Sequence, residues 1–153
     1  MNGTVKAIYI CSAIGGLMEP IKEVEAIAGK GLNGDRYATG TGSFNNGKQG
    51  SRQVTLMNTL FFEGSGFEFS DSRRNIFVEG VELMWLIGRE FQIETARFRG
   101  IKYCDPCNRP GKLSGKTKSF KNVFFDRGGL IAEIVEGGVI KVGNLVIPPQ
   151  KNY

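Results

Sequence analysis

A chain of 153 residues with 41% hydrophobic and 23% charged residues can bury a core without disulfide or metal staples, which excludes wholesale disorder. Twenty Lys and Arg against fifteen Asp and Glu, with no histidine, leave a net charge of +5, which favours an anionic partner and removes imidazole from any chemistry the chain performs. Apolar runs such as LMWLI are far too short for a membrane span, no secretory leader pattern opens the sequence, and three cysteines make no disulfide framework, so a cytoplasmic protein with reduced thiols is expected.

Residues 5–12 (VKAIYICS) and 22–28 (KEVEAIA) are short runs rich in β-branched residues and read as strands. Residues 29–50 hold seven of the 22 glycines among several Asn, Ser and Thr, which predicts a long loop whose turns use positive φ. Strands follow at 52–57, 75–80, 89–94 and 96–103, with short helical stretches expected at 58–64 and 81–87. After a third helical stretch at 119–126, strands are expected at 130–138, 139–143 and 145–148. In that tail Gly137-Gly138 and Gly143-Asn144 read as scaffold turns. Short strands at close spacing, with no repeat and no linker, predict a mostly β fold: a closed antiparallel β-barrel with a few short helices, one domain over 1–153.

The chemistry concentrates in KYCDPCNRP, residues 102–110, where Cys104 and Cys107 stand in C-x-x-C spacing. A structural zinc site needs four Cys or His ligands; Cys11 is the one further cysteine and histidine is absent, so no structural zinc is expected. A thioredoxin-like dithiol opens a helix inside a βαβ unit, whereas here Pro110-Gly111 reads as a helix stop. A third reading is a single nucleophilic sulfur in a basic loop, since neighbouring cations favour thiolate over thiol; Lys102, Arg109 and Lys112 flank Cys107. The polar setting of both cysteines suits a reactive thiol better than a buried apolar filler. Lys and Arg are spread widely along the sequence, with a local excess from Arg97 to Lys121, rather than gathered with aromatics on one surface, which does not point to nucleic acid.

Three further clusters have side chains suited to an anion: Asp35 and Arg36 in GLNGDRY, Arg73, Arg74 and Asn75 in SRRNIFVEG, and Arg127 in DRGGL. Arginine forks bind phosphates and oxyanions through paired hydrogen bonds, and glycine turns offer backbone N–H groups.

In order along the chain, GLNGDRY, SRQVTLM, RRNIFVEGVELMWLIGREFQI, YCDPC and RGGLIAEIVEGGVIKVG resemble the MOSC domain, a family named for the C-terminal domain of molybdenum cofactor sulfurases. The resemblance implies a β-barrel that binds a molybdopterin-type molybdenum cofactor, carries persulfide sulfur for metal-sulfur cofactor assembly, or does both. The family's cysteine after proline corresponds to Cys107, as the catalytic sulfur or as a molybdenum ligand. The implied cofactor-binding set is Asp35, Arg36, Arg52, Gln53, Arg74 and Asn75; Arg109 and Arg127 join it as further anion ligands. Ser51 stands where many members have histidine before the Arg-Gln pair. Implied partners are a separate pyridoxal-phosphate-dependent cysteine desulfurase as sulfur donor and a molybdoenzyme or cofactor-assembly protein as acceptor. Two alternatives stay open: a molybdenum-cofactor-dependent reductase of N-hydroxylated compounds, and a non-catalytic anion-binding regulatory module. Cys104 is a resolving or protective thiol, or a passenger.

Overall fold

The computed structural model describes residues 2–149. Its strands are β1 (Gly3–Ile10), β2 (Glu19–Ile21), β3 (Glu23–Ile27), β4 (Gly31–Leu32), β5 (Val54–Asn58), β6 (Ile76–Glu79), β7 (Glu90–Ile93), β8 (Ala96–Tyr103), β9 (Leu130–Glu136), β10 (Gly138–Lys141) and β11 (Leu145–Ile147). Four short helices interrupt them: α1 (Arg36–Thr39), α2 (Phe69–Ser72), α3 (Arg109–Ser114) and α4 (Phe120–Val123), with 3-10 turns at Thr59–Phe62 and Met84–Leu86. No helix among the described residues is long and apolar enough to cross a membrane.

Seven strands close on themselves in the order β11-β7-β8-β9-β5-β6-β1, with β11 pairing back onto β1; β2 adds outside β1, and β10-β3-β4 form a second small sheet. Closure leaves the barrel no free edge for another chain to pair with. The barrel is as expected, except that it is mixed rather than wholly antiparallel. Strands β5 and β6 run parallel, with Leu56 opposite Ile76 and Met57 opposite Phe77. The physical reason lies in residues 59–75, a crossover through the first 3-10 turn and α2, long enough to return the chain to the same end of the sheet.

Period-two alternation sorts the side chains. Leu56, Ile76, Phe98 and Ile134 fill one side of the sheet as core. Between them in β8, Arg97 and Arg99 face out to Glu90, Glu133 and Glu136. Strands β5 and β6 are buried on both faces, because Met57 and Phe77 join Phe62, Phe67, Phe120 and Phe124 in a second core. Edge-to-face contacts such as Phe62 with Phe77 at 5.7 Å and Phe67 with Phe120 at 5.3 Å suit the opposite charge of ring faces and edges. This aromatic layer fastens α4, and the basic segment around it, to the barrel wall.

One local expectation is corrected. Pro110-Gly111 does not stop a helix: Pro110 sits in the first turn of α3, where its missing N–H has no partner to lose, and α3 ends instead at Gly115 with φ 74°. Strands β10 and β11 are joined through Gly143-Asn144 as expected, and they pair with β3 and with β7 and β1. Asn144 turns the chain by accepting Lys141 N–H at 2.7 Å.

One buried amide ties the parallel pair to the barrel. The Asn75 Oδ1 accepts Thr55 N–H at 3.1 Å and the Thr55 hydroxyl at 3.2 Å, and its Nδ2 donates to the Tyr9 carbonyl at 3.1 Å. The residue is wholly buried, so losing the side chain strands those partners without water. Asn75→Ala should lower stability by about 3 kcal/mol, read as a lower urea midpoint with an unchanged slope.

Candidate functional site

Arg36, Arg52, Arg73, Arg74, Arg109 and Cys107 line one recess of about 30 Å³. They reach it from four pieces of chain: Arg36 in α1, Arg52 before β5, Arg73 and Arg74 after α2, and Cys107 and Arg109 where α3 begins. Asp35 caps α1 by accepting Tyr37 N–H at 3.2 Å, also accepts Cys11 N–H at 2.9 Å, and pairs with Arg36 Nη1 at 3.0 Å. That buried pair anchors Arg36, whose Nη2 donates to the Tyr37 hydroxyl at 3.1 Å and to the Arg73 carbonyl at 3.2 Å. Arg73 ends α2 in the left-handed region, with φ 61°. Its Nη1 donates to the Gly16 carbonyl at 2.7 Å and its Nη2 lies 3.7 Å from the Cys11 sulfur.

Arg74 is 7% exposed. Its Nε donates to the Gly128 carbonyl at 2.8 Å and its Nη1 to the Ser72 carbonyl at 3.1 Å, while Nη2 is buried with no partner among the described residues. A buried N–H of a charged group left without an acceptor is costly, and here it lies on a residue lining the recess. Arg52 stacks over the Phe44 ring at 4.1 Å, and Arg36 over the Tyr37 ring at 4.1 Å. Ser51, in the place where the resemblance expects histidine, instead holds the glycine-rich loop, donating to the Asn45 carbonyl at 2.7 Å.

The cysteine arrives on the loop from β8 to α3. Glycines make that approach possible. A Cβ on Gly128 would collide with the Cys104 carbonyl, and one on Gly129 with the Leu56 carbonyl, so the two backbones pack in direct contact. Cys104 N–H donates to Gly129 O at 2.9 Å, which fixes the start of the loop.

The family model for the MOSC domain matches residues 53–147. The chain belongs to the MOSC domain family. That family is associated with molybdenum-cofactor binding. Among solved structures, this MOSC domain is similar to the YUAD protein of Bacillus subtilis, with a TM-score of 0.79, 17% identity and 98% of each chain covered. It is also similar to YiiM of Escherichia coli, with a TM-score of 0.66, 13% identity and coverage of 99% of this chain and 71% of that one. A third likeness is to YiiM of Geobacillus stearothermophilus, with a TM-score of 0.69, 10% identity and coverage of 97% and 75%. These likenesses show the fold. No curated protein matches the chain.

In the MOSC domain the sequence-derived candidates separate into two groups. Cys107, Arg36, Arg52, Arg74 and Arg109 share the recess, and Asp35 stands behind Arg36 as its buried counter-charge. Gln53 and Asn75 lie elsewhere. The Gln53 side chain accepts Ile134 N–H at 2.8 Å and donates to the Gly50 carbonyl at 3.2 Å, so its amide, like that of Asn75, is spent joining strands. Arg127 lies over the Phe61 ring at 5.0 Å, beside a different cavity that it shares with Asp126 and Glu82. Sequence reasoning grouped Arg73 with the anion-suited side chains but left it out of the cofactor-binding set, and passed over Tyr37 and Phe44 as lining residues; adjacency to Arg74 and to Arg36 was the available signal for Arg73 and Tyr37.

The two cysteines of the C-x-x-C do not share an environment. Cys104 is 2% exposed and Cys107 half-buried in the recess. Contrary to expectation, Cys104 is the small buried filler, because its backbone pairs at the Gly128-Gly129 turn while its polar neighbours face outward. Strand β8 is antiparallel to both β7 and β9, so no βαβ unit surrounds the motif.

Charge in the recess is one-sided. Among the described residues the single carboxylate paired with these arginines is Asp35, on Arg36. Burial, then the like charge of Arg36 and more weakly that of Arg109, push the Arg73 guanidinium below its ordinary value, with the Cys11 sulfur opposing. An anion in the recess relieves that repulsion. Phosphate at about a hundred times its Kd should therefore stabilise the protein by about 2.7 kcal/mol, and chloride at matched ionic strength by less. Thermal unfolding checks this, and the gain should shrink in Arg52→Gln and Arg109→Gln.

Proposed function

We propose that this MOSC domain carries sulfur as a persulfide on Cys107 and uses the surrounding arginines to hold anions, both the persulfide itself and the phosphate of a molybdopterin-type cofactor. The observation that carries this reading is one recess holding a half-buried cysteine and five arginines, with a buried, unpartnered Arg74 Nη2. A persulfide needs an accessible thiol and cations to hold its charge, and neither requirement calls for histidine.

The donor set also fits a phosphate. Guanidinium groups give planar, paired N–H donors that match phosphate oxygens; Arg74 would supply Nη2, and Arg52 and Arg109 would add charge without a competing carboxylate. Bound here, a molybdopterin-type cofactor would supply molybdenum-centred redox and sulfur-accepting chemistry. The chain's own part is to bind, to orient through Arg36 and Arg73, and to hold a sulfur atom at Cys107 Sγ. The recess is too small to enclose a whole pterin, and a groove of about 420 Å³ that shares Phe44 and Arg52 with it offers room beside it. A separate cysteine desulfurase would load the sulfur in a reducing compartment such as the cytoplasm, and a molybdoenzyme or cofactor-assembly protein would receive it.

Incubation with a cysteine desulfurase and cysteine should add one sulfur atom, removable by reductant, to the intact mass of the wild type and of Cys104→Ser, and none to Cys107→Ser. Equal gain in Cys107→Ser refutes the carrier role. For the cofactor, protein from a cofactor-competent host should retain pterin fluorescence and molybdenum that Arg52→Gln with Arg109→Gln loses. Retention by the double variant refutes the arginine assignment.

A further inference from the structure

The dimensions and charge of the recess restrict what can meet Cys107. Its volume of about 30 Å³ admits roughly two water molecules, which matches a compact tetrahedral oxyanion. Four of its five arginines have no carboxylate partner among the described residues, so a single negative charge leaves most of the repulsion unrelieved and a dianion suits it better. Arg74, 7% exposed, keeps its Nη2 buried without an acceptor among the described residues, a spare donor on the wall of the recess for an oxygen of such an ion. The Cys107 sulfur shares this space, so a compact dianion bound here comes to rest against a nucleophile.

On the reading of Cys107 as a persulfide carrier, we propose that the recess takes inorganic thiosulfate as a direct sulfur donor. The Cys107 thiolate attacks the outer sulfur of thiosulfate. A bond forms between Sγ and that sulfur, the sulfur–sulfur bond of thiosulfate breaks, and its electron pair leaves on sulfite. Cys107 is left as a persulfide anion, and total charge is conserved. The cysteine sulfur is oxidised and the departing group reduced to sulfite, so no further oxidant or reductant enters. The arginines play the same part before and after: they hold the sulfonate oxygens of thiosulfate, then the developing charge of sulfite. Cyanide closes a cycle by taking the outer sulfur as thiocyanate and returning the thiolate.

The test uses the full chain, reduced and freed of small thiols. Wild type and Cys104→Ser should release about one sulfite per chain on addition of thiosulfate, in keeping with one acceptor thiol in the recess, gain one sulfur atom in intact mass, and form thiocyanate continuously when cyanide is present. Cys107→Ser should do none of these while keeping the wild-type melting temperature. Arg109→Gln should raise the thiosulfate concentration for half-maximal loading about tenfold, the loss of a charge-assisted contact, and Arg109→Lys should recover most of it. A bulky aromatic thiosulfonate with the same sulfur–sulfur bond should load more slowly than thiosulfate. Loading by a cysteine desulfurase without loading by thiosulfate overturns the thiosulfate assignment and leaves the carrier reading standing. Loading by neither overturns both, and sulfite release unchanged in Cys107→Ser overturns the assignment of the sulfur.

Discussion

Gathering guanidinium groups around one thiol sets like charges against each other in partly buried surroundings, and the rest of the structure answers to that constraint. Neutralising each with a carboxylate would abolish the attraction for an anion. The fold instead gives one true counter-charge, Asp35 on Arg36, and holds Arg73 and Arg74 by backbone carbonyls: Gly16 for Arg73, Gly128 and Ser72 for Arg74. Carbonyl dipoles orient a guanidinium without cancelling its charge. The cost remains visible in Arg73, whose proton is held less tightly than usual, and in the orphaned donor of Arg74.

Those carbonyls must themselves be held still, which ties the recess to the barrel. Three consecutive residues divide the work. Arg73 closes α2 at positive φ, Arg74 turns back to Gly128, and Asn75 fastens the start of β6 to β5 and β1. From the other side, Gly128-Gly129 lets the turn before β9 lie against Cys104 and β5. The aromatic layer of Phe77, Phe120 and Phe124 then presses α4 and the basic segment onto the same wall, with Arg74 over the Phe120 ring at 5.8 Å.

Much of this is legible in the sequence, and the illegible parts have physical reasons. Strand positions follow from short runs of β-branched and aromatic residues broken by glycine turns, as in β8 and β9. Which strands become neighbours does not, because alternation says which side chains turn inward and nothing about the partner; hence the parallel pairing of β5 with β6 came only with the structure. Cys107, Arg36, Arg52, Arg74 and Arg109 are recoverable from motif resemblance and basic context. Gln53 and Asn75 belong to the same motifs, yet their amides complete strand joints, a use that residue type alone cannot separate from ligand binding. Cys104 and Cys107 differ in a way spacing cannot reveal, since only the Gly129 contact decides which sulfur turns inward. Pro110 reads as a breaker until its place in the first turn of α3 is known.

The barrel seam has a kinetic meaning. Its closing pairs set Gly3 against Val146 and Thr4 against Leu145, joining strands from nearly opposite ends of the described chain. Contacts so far apart in sequence form against a large loop-closure entropy, and folds rich in them are slow to complete. Until β11 arrives, β1 and β7 each present an open edge. A chain emerging from synthesis therefore has its arginines and Cys107 in hand well before the cylinder can shut.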